Sequence, residues 1–156
     1  MAVTAEQVRA VLAPEEPDYA AAAALGADAL PHLSQLITGD NLEFAVKAAS
    51  LASQIPDDRS VDVALMAAQS PHVLVRVAVA AGLPSLTGHP IQPVVATLLN
   101  DADRGVRRLA LEAARPVLDD PEVLGMVQRA ATRDPAPEIR GQARELLSPR
   151  TRGADD

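Results

Sequence analysis

The sequence predicts an all-α protein, an α-solenoid of about four stacked helical hairpins behind an N-terminal capping helix. Three observations carry that reading. Its 48% hydrophobic content comes from Ala, Val and Leu, with Tyr19 and Phe44 as the sole aromatics; the abundance of Ala, Leu, Glu and Arg favours helix, and little of the β-branched and aromatic alternation of strands is present. A unit of about thirty residues recurs four times. Prolines and short polar residues punctuate the apolar segments where helices would start and stop.

In chain order, Thr4 is placed to start a helix through Leu12, "PEEPD" breaks it, and "YAAAAAL" starts another towards Gly26. Four segments then align: "NLEFAVKAASLASQIP", "SPHVLVRVAVAAGLP", "DADRGVRRLALEAA" and "DPAPEIRGQARELLSP". They begin at Asn41, Ser70, Asp101 and Asp134, spaced 29, 31 and 33 residues apart. Each opens on a helix-capping type and carries a branched residue five later (Val46, Val75, Val106, Ile139), followed at once by a base: Lys47, Arg76, Arg107 and Arg140. Pro71, Pro135 and Pro137 suit first turns, and Pro56, Pro84, Pro116 and Pro149 stop the helices. From Val106 the apolar positions run through Leu109, Ala110, Ala113, Ala114 and Val117, a single helical stripe.

Upstream of each such helix lies another apolar segment: "GADALPHLSQLI", "SVDVALMAAQ", "IQPVVATLLN" and "PEVLGMVQRAAT". Every unit is thus two helices joined by a tight turn, each bearing a stripe that only stacking can bury. The units are expected at about 22–56, 58–86, 89–117 and 120–149 within one domain spanning 1–149. The polar "RTRGADD" is expected to be a disordered tail over 150–156.

The pattern in "ALGADALPHLSQLITGDNLEFAVKAASLA" and "DADRGVRRLALEAA" resembles HEAT-like repeats, in the short form of phycobilisome-lyase-type HEAT proteins. The resemblance covers roughly residues 20–149 and implies a right-handed solenoid. It also implies that Asp101 and Asp103 cap the second helix of their unit, that Asp134 does the same in its own, and that Arg107 and Arg140 reach neighbouring turns as rungs of a polar ladder. Lys47 in place of Arg, and Ser70 and His72 in place of Asp101 and Asp103, depart from a uniform ladder.

Composition limits the chemistry. With no cysteine there is no disulfide or thiolate metal site, and a cytoplasmic location is the simplest expectation. The N-terminus lacks the apolar core of a signal peptide, and no run approaches the length of a membrane span. His32, His72 and His89 lie at unrelated positions of three units, without ligand spacing. Asp101 and Asp103 have arginines beside them where a cation would need more oxygens. No nucleophile elbow or phosphate-cradling loop occurs, so neither catalysis, a metal nor a cofactor is expected. The net charge of −7 and the lack of Trp disfavour nucleic acid, although the ten bases within residues 101–156 are all arginine.

The expected function is protein–protein interaction, as a scaffold or adaptor that binds a partner segment on a concave face formed by the second helices. Two and five residues beyond the branched position, a helix turns away from its buried stripe. Those columns read Ala48, Val77, Arg108, Gly141 and Leu51, Ala80, Leu111, Arg144, apolar at the front and cationic at the back. The alternatives are a non-catalytic accessory subunit or maturation factor of a lyase-like enzyme, and nucleic-acid binding through the C-terminal arginines. Open solenoid ends also leave room for a homodimer.

Overall fold

The computed structural model describes residues 2–149; the segment expected to form a tail, 150–156, lies outside the described residues. Ten α-helices and four short 3-10 turns follow one another, with no strand among the described residues. The fold is all-α, as the composition predicts.

Helix α1 (Ala5–Leu12) opens on a reciprocal cap in which Thr4 accepts the amide of Gln7 and the Gln7 side chain accepts the amide of Thr4. Asp18 caps α2 (Tyr19–Ala22), which tightens into a 3-10 turn ending at Gly26. Gly26 has φ +72°, a conformation that glycine adopts at no steric cost, and it turns the chain into the first hairpin.

Four hairpins follow: α3 (Leu30–Ile37) with α4 (Leu42–Ser53), α5 (Asp58–Ala67) with α6 (Val73–Gly82), α7 (Gln92–Leu99) with α8 (Arg104–Ala114), and α9 (Pro121–Arg133) with α10 (Pro137–Leu147). First helices pack on first helices (α3–α5–α7–α9) and second on second (α4–α6–α8–α10), which gives two layers. One apolar cluster runs through both layers, from Val8 and Leu12 to Ile139, Ala143 and Leu146. Alanine supplies much of it, which lets the helices approach closely. The remainder is valine, leucine and isoleucine, each worth about 1.5–3 kcal/mol when fully buried.

The prolines act where the sequence placed them, with one refinement. α4 and α10 end before Pro56 and Pro149, whereas α6 and α8 continue as 3-10 turns, Leu83–Leu86 and Arg115–Val117, that hold Pro84 and Pro116 near their starts. Proline lacks the N–H that would extend the α-helical bonding, so α6 and α8 end at these positions and the chain tightens into a 3-10 turn.

The helix starts need a larger correction. Asn41 does cap α4, accepting the amide of Phe44, and Asp103 caps α8, accepting that of Val106. Ser70, Asp101 and Asp134 are not caps. Each stands two residues ahead of the true cap position (His72, Asp103 and Ala136), and its side chain accepts that residue's amide instead. This is the Asx or Ser turn, which competes with capping. In the fourth unit Pro137 also holds Ala136 extended, so α10 can start no earlier. Pro71 and Pro135 accordingly lie in turns rather than in first turns of helices.

Candidate functional site

Along one edge of the stack the bases of successive units form a ladder. Arg76 grips the carboxylate of Asp101 in the next unit with Nε at 2.7 Å and Nη2 at 3.3 Å, and its Nη1 donates to the carbonyl of Ser70 at 2.9 Å. Arg107 repeats the arrangement on Asp134, at 2.8 and 3.2 Å, with Nη1 on the carbonyls of Asp101 and Ala102. The Arg107 and Asp134 side chains are 9% and 5% exposed, so this pair works largely out of water. No described buried side-chain polar atom lacks a partner, the condition under which burying such charges is tolerable.

Both ends of the ladder differ from its middle. Lys47 has Ser70, not an aspartate, in the unit ahead, and its ammonium turns back to the Pro14 carbonyl at 2.7 Å and to Glu43 at 2.8 Å. It thereby ties the N-terminal segment to the first hairpin, as does His32, whose Nε2 lies 2.9 Å from the Val3 carbonyl. Arg140 donates through Nη1 to the Asp134 carbonyl at 2.7 Å, and its other nitrogens have no partner among the described residues.

The expectation that two columns of the second helices face solvent is corrected. Ala48, Leu51, Ala80 and Leu111 are buried to within 1%. Val77 and Gly141 are half-buried, while Arg108 and Arg144 are exposed. A second helix has neighbours on both flanks and the first-helix layer behind it, so only a narrow strip stays open. On α6 that strip is Leu74, Val77 and Ala81; on α8 it is Arg104, Arg108 and Glu112. Leu74 is 55% exposed and Val73 38%, two of the three large apolar side chains most open to solvent. Polar contacts occupy the strip beyond: Arg104 reaches Glu138 at 3.1 Å, and the Gln142 amide donates to the Arg108 carbonyl and to Glu112.

The apolar strip therefore belongs to α6 and borders arginines on α8. Sequence reasoning missed Leu74 because it lies one residue before the branched Val75, inside an apolar run whose periodicity is ambiguous. It also missed a cleft of about 480 Å3 between α7 and α9, with Leu99 and Met126 in its walls and Arg129 and Arg133 beside them.

The other polar groups have local explanations. Arg59 binds Asp57 through its side chain and its amide and holds that carboxyl down at about 2. The Gln92 amide, followed by the amides of Val123 and Glu122, lowers the Asp120 carboxyl. His89 Nδ1 lies 2.6 Å from Asp58 across the loop between units two and three, and His72 occupies a cap position without a capping bond. Among the described residues no three His, Cys, Asp or Glu side chains converge as metal ligands, and no helix is long and apolar enough to cross a membrane.

Stacked hairpins, an Asp–Arg ladder between their turns and a continuous two-layer core define the class of fold as a HEAT-like α-solenoid. Among solved structures the chain is similar to one from the complex of CpcE and CpcF of phycocyanin lyase from Nostoc sp. PCC7120, with a TM-score of 0.68 and 21% identity over 92% of this chain and 98% of that one. At that identity the likeness speaks for the fold alone. No family model and no curated protein matches the sequence.

Proposed function

We propose that the chain is a protein-interaction module whose binding strip is the open face of α6 and α8. The observation that carries this reading is the exposure of Leu74 and Val73 on α6, the helix that packs beside α8 with its exposed Arg104 and Arg108. Leu74, Val77 and Ala81 follow helical spacing, so an amphipathic partner segment can lay an apolar face on them and set an acidic end against Arg108. A photocrosslinker at Ala81 should capture a partner that Leu74→Glu and Arg108→Glu both lose, with melting temperatures within a few degrees of the parent. Leu111→Glu instead places a charge in the core and should abolish folding itself. Capture unchanged by the two surface substitutions would rule out the strip.

The similarity to a chain from a two-protein lyase complex supports a second reading, a non-catalytic accessory subunit of an enzyme. The captured protein separates the two: an enzyme whose activity depends on adding this chain favours the accessory role. Nucleic-acid binding, the weakest reading, predicts retention on DNA or RNA that falls steeply with salt.

A further inference from the structure

The ladder shows what Arg140 lacks among the described residues. In Arg76 and Arg107 the guanidinium splits its work identically: Nη1 donates to the carbonyl six residues back, and the Nε and Nη2 edge takes both oxygens of an aspartate in the following unit. Arg140 makes the first contact with the same nitrogen, on the Asp134 carbonyl six residues back. Its Nε and Nη2 have no partner among the described residues, so that edge is left open at the end of the last described unit. The carboxylates that fill the equivalent edges share one geometry. Asp101 and Asp134 each also accept the amide two residues on, which fixes the carboxylate in a turn just ahead of a helix.

We propose that the outward edge of Arg140 is a carboxylate-binding site, at which a different protein docks an aspartate held in such a turn. This surface is separate from the strip on α6 and α8 and does not depend on it. A second copy of the chain is poorly equipped as the occupant. Each described aspartate that accepts the amide two residues on is already engaged: Asp57 by Arg59, Asp101 by Arg76, Asp120 by Gln92 and Asp134 by Arg107. The bidentate fork gives the site its selectivity, since planar guanidinium and carboxylate match in two parallel bonds and an amide cannot supply two acceptors.

The experiment follows the Nε–Hε resonance of Arg140 in the full chain during titration with the blocked tripeptide acetyl-Asp-Pro-Ala-amide, which copies the turn at 134–136, and with its Asn counterpart. The expected result is a saturable shift of Arg140 with the Asp peptide, about tenfold weaker with Asn, while the exposed Arg108 and Arg144 stay in place. Arg140→Gln, with an unchanged helical spectrum, should remove the response. Equal shifts at all three arginines, or none at Arg140, would overturn the proposal. So would movement of the Arg140 signal, without peptide, when residues 150–156 are removed, because the carboxylate would then be the chain's own. Concentration-dependent self-association that Arg140→Gln abolishes would assign the edge to a second copy and overturn it equally.

Discussion

At Gly82 two neighbouring second helices, α6 and α4, approach closely. A methyl group there would meet the Cβ of Ser53 on α4 at 2.7 Å and overlap its hydroxyl, which is itself bonded to the Ser50 carbonyl. Alanine gains about 1 kcal/mol over glycine from helix propensity. Against that, the Ser53 Cβ is fixed to the backbone and cannot swing aside, and overpacking of this kind costs about 1–3 kcal/mol. Gly82→Ala should therefore lower stability in chemical denaturation despite its better propensity, and Ser53→Gly in the same chain should recover part of the loss. In the repeat Gly82 aligns with Ala113, one position of the third unit's apolar stripe. That it must be small follows only from how near α4 comes.

At the scale of elements, the turn and the helix it precedes are joined across units by the Arg107–Asp134 pair. The Asp134 carboxylate holds its own turn through the Ala136 amide and the preceding unit through Arg107, so one side chain links α8 to the start of α10. Removing one member leaves the other nearly buried without its partner, which costs about 3–5 kcal/mol. Arg107→Ala should show a loss of that order in urea unfolding, and adding Asp134→Asn should cost far less than its effect alone. Additive losses would mean that the two groups act separately. The alignment of Asp101 with Asp134 and of Arg107 with Arg140 was legible in the sequence, because the repeat displays it. What the letters do not contain is that the aspartates sit two residues before the caps. That offset depends on competition between a side chain and a helix start for the same amides.

For the whole molecule, neighbours alone hold each unit, so stability should fall in steps rather than collapse. A chain ended before Pro121 loses α9 and α10, and with them the partner of Arg107. It should keep the helical signal per residue of the remaining units and melt at a lower temperature, with a shallower transition. Complete unfolding would show that the fourth hairpin is part of one indivisible core. The two-layer arrangement also explains why four of the eight expected column positions, Ala48, Leu51, Ala80 and Leu111, are buried. Angular position around an isolated helix was read correctly, but α4, α6 and α8 each pack against several neighbours, and Leu51, Ala80 and Leu111 fell within that cover.

By itself the sequence determined the helical class, the number and order of the hairpins and the recurrence of a base at the matching position of every unit. These rest on local propensity and on a repeat that states each rule several times. Tertiary structure alone decided which face of α6 and α8 stays open, that Gly82 must be small and that Nε and Nη2 of Arg140 have no partner among the described residues. Each of these depends on the distance between neighbouring helices, and that distance is set by packing across the stack rather than by any one segment.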